Sequence, residues 1–393
     1  MDRTDLIRVG VLGTGFAAEC HADALRRLPG LELVGVASRD AARARDTAER
    51  LGAKLAYADF AELLGDPAID AVHLCTINSL HAELSATALR ASKHVIAEKP
   101  LATSSSDSEM LAALADEAAK RGTLSAVCFN YRHYPLVQQI REMLMSGESG
   151  SVHFVHGSYL QDWLLYETDW NWRLDPSDNG ASRAIADIGS HWIDLVQHIT
   201  GETAAEVFAD LATHHPVRRR PAAVSSTFGD GDDARGSEPV PVDTEDFGTV
   251  MLRFHTGARG TFAVSQASAG RKNRLTFQVD TSDAAFAWDQ EHPDTAWVGR
   301  RRSPNIEFLR DPGRAPHIPQ LPAGHPEGWR DALRNLFADF YGAVRAQREG
   351  SDYEPTFATF ADGHRTTLLV EAIMRSHKTE SWARVVDHEG ARA

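Results

Sequence analysis

The stretch that most limits what this chain can fold into lies at its start. Leu6 to Leu12 is an apolar strand pattern that runs straight into Gly13-Thr14-Gly15-Phe16-Ala17-Ala18. His21 to Leu28 then reads as a helix, stopped by Pro29-Gly30. Strand, glycine turn and helix in that order open a βαβ unit. The G-x-G-x-x-A spacing has a physical reading: Gly13 permits the tight turn, Gly15 lets backbone approach a pyrophosphate, and Ala18 lets the helix lie close on the sheet. The phosphates would sit at the helix N-terminus. Gly13, Gly15, Phe16 and Ala17 are therefore candidate dinucleotide contacts. Two glycines can also be only a turn, but the strand before them and the helix after them favour the cofactor.

The alternation continues. Leu31 to Ala37 reads as a strand, Ala41 to Leu51 as a helix and Ile69 to Cys75 as a buried strand. The end of the second strand selects the dinucleotide, because an acid there takes the ribose hydroxyls. This chain offers Ser38-Arg39, hydroxyl plus guanidinium, with Asp40 one place later. That pair suits a 2′-phosphate and leans the reading to NADP over NAD. Val95-Ile96-Ala97 places Glu98-Lys99-Pro100 at a strand's C-terminal end, the edge where open α/β sheets bind ligands. Pro100 biases Lys99 towards an extended exit. The last strand of this domain, Leu124 to Phe129, delivers Asn130 and Arg132 to the same edge, the first as a nicotinamide-side contact and the second as a structural or substrate clamp. A helix from Pro135 to about Met145 follows. At 393 residues the chain is too long for one ordinary core. The division expected is 1–130 for dinucleotide binding, 131–150 as a connecting helix and 151–393 for substrate.

The second domain opens on a strand, Val152 to Leu160, followed by Gln161-Asp162-Trp163-Leu164-Leu165-Tyr166-Glu167-Thr168-Asp169-Trp170-Asn171-Trp172-Arg173. Aromatic faces cover the C–H patches of a sugar, and planar polar groups pair with its hydroxyls. The plain alternative is a set of aromatics gluing a long loop to its domain. No Lys/Arg cluster here offers a phosphate clamp. Beyond it, Ile188, Trp192, Leu195, Val196 and Ile199, with Gly201 as a stop, predict a helix from Asp187 to Thr200. Asp187 and His191 are four apart and would share one face, about 5–6 Å apart at Cβ. Alone they read as a helix cap and its partner; with Lys99 and the glycine turn they read as half of a site.

Strand patterns follow at Ala205 to Leu211, Gly248 to Phe254, Gly260 to Ser268 and Leu275 to Asp280. The Gly/Asp/Ser/Pro-rich Ser225 to Val242 reads as a long surface hairpin or a disordered loop within a flexible insertion, 216–245, and Arg218-Arg219-Arg220 as solvated. Residues 301–325, with five prolines, read as an irregular loop. Amphipathic helices are expected at about 329–348 and 356–376, and a last strand from Trp382 to Val386.

Composition narrows the partners. With 41 basic against 55 acidic residues, net −14, nucleic acid and anionic membranes are poor partners. Cys20, Cys75 and Cys128 are an odd set without metal-type spacing, read as buried thiols in a reducing compartment. The 18 histidines are scattered, and no bound metal is expected. Met1 to Asp5 leads directly into a strand, and no apolar run reaches the roughly 18 residues of a membrane span. The expectation is a cytoplasmic protein.

Taken together, Gly13-Thr14-Gly15-Phe16, Thr76-Ile77-Asn78-Ser79-Leu80-His81, Ala97-Glu98-Lys99-Pro100-Leu101, Phe129-Asn130-Tyr131-Arg132 and Asp187-Ile188-Gly189-Ser190-His191 resemble the Gfo/Idh/MocA oxidoreductase family, the glucose-fructose oxidoreductase and inositol dehydrogenase group. The phrase Tyr159-Leu160-Gln161-Asp162-Trp163 is similar to its levoglucosan dehydrogenase branch. The resemblance implies an α/β chain: an N-terminal Rossmann domain, then a C-terminal α+β domain whose large, mainly antiparallel sheet carries the substrate site and mediates a homodimer or homotetramer. It implies NAD or NADP as cofactor, touched by Gly13, Gly15, Phe16, Ala17, Ser38, Arg39, Thr76, Asn78, His81, Glu98, Lys99 and Asn130. It further implies that Lys99, Asp187 and His191 converge at the nicotinamide, on a substrate that Arg132, Tyr159, Gln161, Asp162, Trp163, Trp172, Arg173 and His325 help bind, with Trp329 in the same C-terminal region. Two positions depart from the family pattern: Ile77 replaces its usual proline and Ser92 its usual glycine. The reaction implied is hydride transfer to or from a secondary hydroxyl of a sugar, anhydrosugar, glycoside or cyclitol. The proton falls to His191 or Lys99, with Asp187 orienting the imidazole. The alternatives are NAD-dependent glycoside cleavage by transient oxidation and elimination, and a non-catalytic cofactor-binding regulator.

Overall fold

A computed structural model of the chain describes residues 6–221, 236–313 and 321–386. They divide into two compact units: the chain up to Tyr134 together with Trp329–His364, and the remaining described residues. In chain order, the first unit contains β1 (Ile7–Leu12), α1 (Phe16–Arg26), β2 (Leu31–Ala37), α2 (Ala41–Arg50), β3 (Leu55–Tyr57), α3 (Phe60–Gly65), β4 (Ala71–Leu74), α4 (His81–Arg90), β5 (His94–Ala97), α5 (Ser105–Lys120) and β6 (Ser125–Val127). The six strands are parallel in the order β3-β2-β1-β4-β5-β6. The order reverses between β1 and β4, which opens a crevice at their C-terminal ends. Helix starts follow from caps: Asp40, Asp59 and Ser104 each accept backbone N–H bonds from the first turn of α2, α3 and α5. The first helix begins at Phe16 rather than His21, because Ala18, His21, Ala22 and Leu25 all lie on its buried face.

The second unit contains α6 (Pro135–Met145), β7 (Val152–Leu160), α7 (Pro176–Asn179), α8 (Ser190–Thr200), β8 (Ala204–Ala212), β9 (Val217–Arg220), β10 (Glu238–Pro241), β11 (Phe247–Phe254), β12 (Arg259–Ser265), β13 (Arg274–Thr281), β14 (Ala285–Asp289), β15 (Thr295–Gly299) and β16 (Ile306–Leu309). After α9 (Trp329–Glu349) come α10 (Phe360–Thr379) and β17 (Ala383–Arg384). The large sheet has nine strands in the order β16-β15-β14-β13-β7-β12-β11-β8-β17. Its pairings are antiparallel except β7 with β12. Alternation along β11 and β13 sends Val250, Leu252, Leu275 and Phe277 inward and leaves Met251 outward. Trp192 of α8 seals the inner face, stacked on Phe262 and donating its indole N–H to the Thr276 carbonyl at 2.9 Å. Gly157 on β7 makes room for it, since a Cβ there would collide with that carbonyl and with the indole nitrogen.

Some of these expectations are corrected. The helix α9, placed by sequence in the 151–393 domain, packs Leu333, Leu336, Phe337, Phe340 and Tyr341 into one core with Ile7, Val9 and Val11 of β1. Each such side chain contributes about 1.5–3 kcal/mol of burial free energy, so the first unit needs this distant helix. Residues 131–150 are not one connector either: Asn130–His133 is a 3₁₀ turn of the first unit, and α6 belongs to the second. In the region 216–245 the described residues take the hairpin alternative, β9 and β10 pairing antiparallel; residues 222–235 lie outside the described residues. The stretch 301–325 likewise carries β16, whose short edge position gives little periodicity to read. Among the described residues no helix is long and apolar enough to cross a membrane.

Candidate active site

Each unit carries one half of the candidate residues. In the first, Gly13 has φ +115° and a Cβ there would strike the Cys75 carbonyl, so only glycine fits where β1 passes β4. Gly15 caps α1, with open space around its Cβ direction and no side-chain cap bond. Phe16 is exposed and faces Trp329, ring centroids 6.0 Å apart, and Ala17 is half-buried behind it. At the end of β2, Ser38 is half-buried and Arg39 exposed. Asp40 is engaged in capping, accepting from Ala42 N at 2.9 Å and Arg43 N at 3.2 Å, bonds that hold its carboxyl below the usual range.

The strand ends β4 and β5 are clamped together by His81, whose ring nitrogens lie 2.7 Å from the Pro100 carbonyl and 3.1 Å from that of Thr76. His81 therefore shapes this edge. Asn78 opens a 3₁₀ turn beside it, and the Lys99-Pro100 peptide is cis. Glu98 receives the Lys99 backbone N–H at 3.2 Å and faces His21 Nε2 at 3.0 Å. Burial raises the Glu98 carboxyl, but the hydrogen bond from His21, the Lys99 ammonium and the Cys128 thiol outweigh it and hold it below the usual carboxylate range. Behind Glu98 runs a buried chain that sequence did not show. His21 Nδ1 meets His73 Nδ1 at 2.9 Å, and His73 Nε2 meets the Tyr341 hydroxyl at 2.8 Å. An ionised Glu98 fixes its direction: His21 Nε2–H donates to Glu98, His73 Nδ1–H donates to His21, and Tyr341 O–H donates to His73. Burial and the neighbouring His21 hold His73 well below the usual titration range. The available signal was a histidine in an apolar strand and another on the buried face of α1. Arg132 stands 3.5 Å from Asp362, within this same unit.

A nicotinamide dinucleotide fits these residues. Open backbone at Gly15 begins a helix N-terminus, and the buried Asn130 amide nitrogen at the ligand edge has no partner among the described residues, leaving a donor for a polar group of the cofactor.

In the second unit the helix predicted from Asp187 begins as a π-helical turn, Ile185–Gly189, closed by Ser190 N–H on the Ile185 carbonyl; α8 follows. Such a wide turn is a device common at functional sites. Both are buried. Asp187 is gripped on both oxygens, Oδ1 by Arg173 Nε at 3.1 Å and Oδ2 by Gln266 Nε2 at 2.8 Å. The Arg173 guanidinium lies over the Trp172 ring at 4.5 Å. His191 is tilted against Tyr159, centroids 6.2 Å apart. Asn273, missed in the sequence, accepts from the Tyr159 hydroxyl at 2.7 Å and from Gln161 Nε2 at 2.8 Å, while Gln161 Oε1 accepts from Trp163 at 2.7 Å. Trp163 and Trp170 pack on Leu164, Leu174 and Val242, so part of the aromatic set is loop glue. Asp162 turns to Lys272 at 2.8 Å and Gly270 N at 3.0 Å. His325 sits at another knot: its carbonyl accepts from Arg310 at 2.7 Å, and its ring faces the Pro322 carbonyl.

The Gln266 side chain continues inward, accepting from Arg183 Nη1 at 2.8 Å; Arg183 pairs with Asp246, which also receives Arg218. Arg183, Arg218 and Asp246 are wholly buried. The solvated reading of Arg218 is thus overturned: it donates to the carbonyls of Leu164, Tyr166 and Asp169, pinning the aromatic loop to the network that holds Asp187.

Comparison with known proteins follows the same two halves. Residues 7–126 match the model of the oxidoreductase family, NAD-binding Rossmann fold, and residues 137–287 that of the GFO/IDH/MocA C-terminal domain. Levoglucosan dehydrogenase of Pseudarthrobacter phenanthrenivorans is 29% identical over 404 residues, covering 96% of this chain and 98% of that protein. Myo-inositol 2-dehydrogenase of Thermotoga maritima is 29% identical over 256 residues, 65% of this chain and 67% of that one. The solved structure of levoglucosan dehydrogenase in complex with NADH and levoglucosan superposes with a TM-score of 0.84 at 27% identity, covering 97% and 99%. With both domains matched in order, the chain belongs to the Gfo/Idh/MocA family of oxidoreductases.

Proposed function

We propose that this enzyme transfers a hydride reversibly between a nicotinamide dinucleotide and a secondary hydroxyl of a sugar, anhydrosugar, glycoside or cyclitol. The observation that carries the reading is Asp187, buried in a π-turn, held on both oxygens, one turn ahead of His191 and beside Trp172 and Arg173. When bound, the nicotinamide supplies the hydride chemistry; the protein's task is the hydroxyl proton. His191 takes that proton, and the fixed carboxylate of Asp187 favours the imidazolium that results. Lys99 donates to the reacting oxygen and offsets its developing negative charge. Tyr159, Trp172 and Arg173 bind the ring of the substrate, and Asn130 takes the nicotinamide amide.

At the adenosine end we favour NADP. Asp40 is engaged in capping α2, whereas Arg39 is exposed for a 2′-phosphate. The partner of the second unit is another copy of the chain, docked on the outer sheet face where Met251 and Trp297 are exposed; light scattering of the purified protein reads its order.

The test is a panel of monosaccharides, anhydrosugars, inositols and glycosides with NAD and NADP, repeated on Lys99→Met and His191→Ala. Each variant should lose 10²- to 10⁴-fold in kcat, about what a positioned acid–base group supplies, while dinucleotide affinity survives. Near-normal turnover in either variant sinks the assignment, and a strong preference for NAD sinks the choice of NADP. Release of an aglycone without net NADH would turn the reading to glycoside cleavage, and silence across the panel would turn it to a regulator.

A further inference from the structure

We propose that His21, Glu98 and Cys128 form a binding site for a thiophilic divalent cation of the zinc class, and that its occupancy switches the enzyme off. The inhibition rests on the reading of Lys99 above; the binding does not. The three residues lie 77 and 107 positions apart in sequence relative to His21, so no local spacing announces them. In the fold His21 Nε2 lies 3.0 Å from Glu98 Oε1 and 3.6 Å from Cys128 Sγ, and among the described residues one ligand atom from each falls within 4.8 Å of the others. Around a tetrahedral zinc with bonds of about 2.0–2.3 Å, donors sit roughly 3.3–3.8 Å apart. Small side-chain shifts therefore suffice.

The donor types match the ion. Imidazole, carboxylate and thiolate suit zinc, and three protein ligands leave a fourth position open. A carboxylate and a thiolate also cancel its two positive charges. An orienting partner is already present: a ligating histidine needs its other ring nitrogen held, and His21 Nδ1 faces His73, backed by Tyr341. That chain can reverse, at the cost of one buried hydroxyl. With Nε2 on the metal, His21 Nδ1–H donates to His73 Nδ1 and His73 Nε2–H donates to the Tyr341 oxygen, so the buried Tyr341 hydroxyl gives up its bond to His73, a loss the metal–ligand bonds must exceed. Each imidazole keeps one proton, so the one released belongs to the Cys128 thiol. Entry is through Glu98, whose side chain is 20% exposed while that of His21 is fully buried. Binding takes Glu98 from its place beside Lys99, which is the physical route to inhibition.

Cobalt(II) is the spectroscopic probe. Added to the full-length protein, it should give a thiolate charge-transfer band saturating at one ion per chain, release one proton per ion, and be displaced by zinc. The band should vanish in Cys128→Ser and persist in Cys20→Ser and Cys75→Ser. Zinc should inhibit the wild type reversibly on chelation, and Cys128→Ser should keep turnover while becoming at least tenfold less sensitive. If Cys128→Ser fails to fold, Cys128→Ala replaces it, and proton release from the wild type reads the thiolate without any variant. Absence of the band and of stoichiometric zinc, or a band that survives without Cys128, overturns the site. A cobalt band in a protein that turns over no panel substrate would leave the site standing and sink the proposed reaction.

Discussion

Ser92 has φ 56°, the left-handed region that disfavours a side chain. It occupies the position where the family pattern has glycine, so the sequence departure is a conformational cost. Ser92→Gly should stabilise the protein by about 0.5–1 kcal/mol, read from the denaturant midpoint. Ile77, the other departure, has φ −68°, which proline would also adopt. Arg218 teaches the opposite lesson. A run of three arginines in a polar segment reads as solvent-exposed because charge favours water, and only the buried Asp246 and three loop carbonyls reverse that preference. Arg218→Met leaves Asp246 with one buried guanidinium, that of Arg183, and should cost about 3 kcal/mol, near the low end for a broken buried pair. It should also raise KM for the panel substrate before it affects dinucleotide binding, because it loosens the aromatic loop.

Elements were legible where periodicity is strong. The glycine turn, β2, β7, α6 and the position of α8 follow from apolar spacing and stops. The π-turn was not, because one additional residue in a turn leaves the apolar pattern of α8 intact. The short strands β14 to β16 were not, because strands of four or five residues carry too few alternations. Gly157→Ala tests how α8 is seated: its Cβ must displace Trp192 or Thr276, costing about 1–3 kcal/mol and lowering the thermal midpoint. At the start of β5, burial and the nearby Arg348 bring His94 down to about 4 from an ordinary 6.5, and its Nδ1 accepts the Leu124 N–H at 3.0 Å. The unfolded chain binds this proton before the folded one does. Stability should therefore be full above pH 6.5 and fall between pH 6.5 and 4. Urea midpoints across that window should show the descent, shallower in His94→Gln.

At the scale of the molecule, the half-sites were legible as residue types and only partly as contacts. Lys99, Asp187 and His191 stand at element ends that any strand-and-helix reading can locate. Gln266, Asn273, His73 and Tyr341 are distant in sequence and buried by folding, so no window reveals them. The domain division failed at α9 for the same reason, since an amphipathic helix declares that it has a buried face and not which core receives it. A fragment of residues 1–134 should be soluble at best as a loosely packed state without a cooperative melt, because Leu336, Phe337, Phe340 and Tyr341 are missing from its core. Adding a peptide of residues 329–364 should restore the transition, as circular dichroism would show.

The same nesting has a consequence for synthesis. A ribosome makes the dinucleotide-binding strands first, yet the helix that completes their core emerges only after the entire large sheet except β17 has been made. Folding in order of synthesis, the usual habit of multidomain chains, is not open to this one. The nascent first unit must wait with an apolar face uncovered, and that interval is where a holding chaperone would be needed.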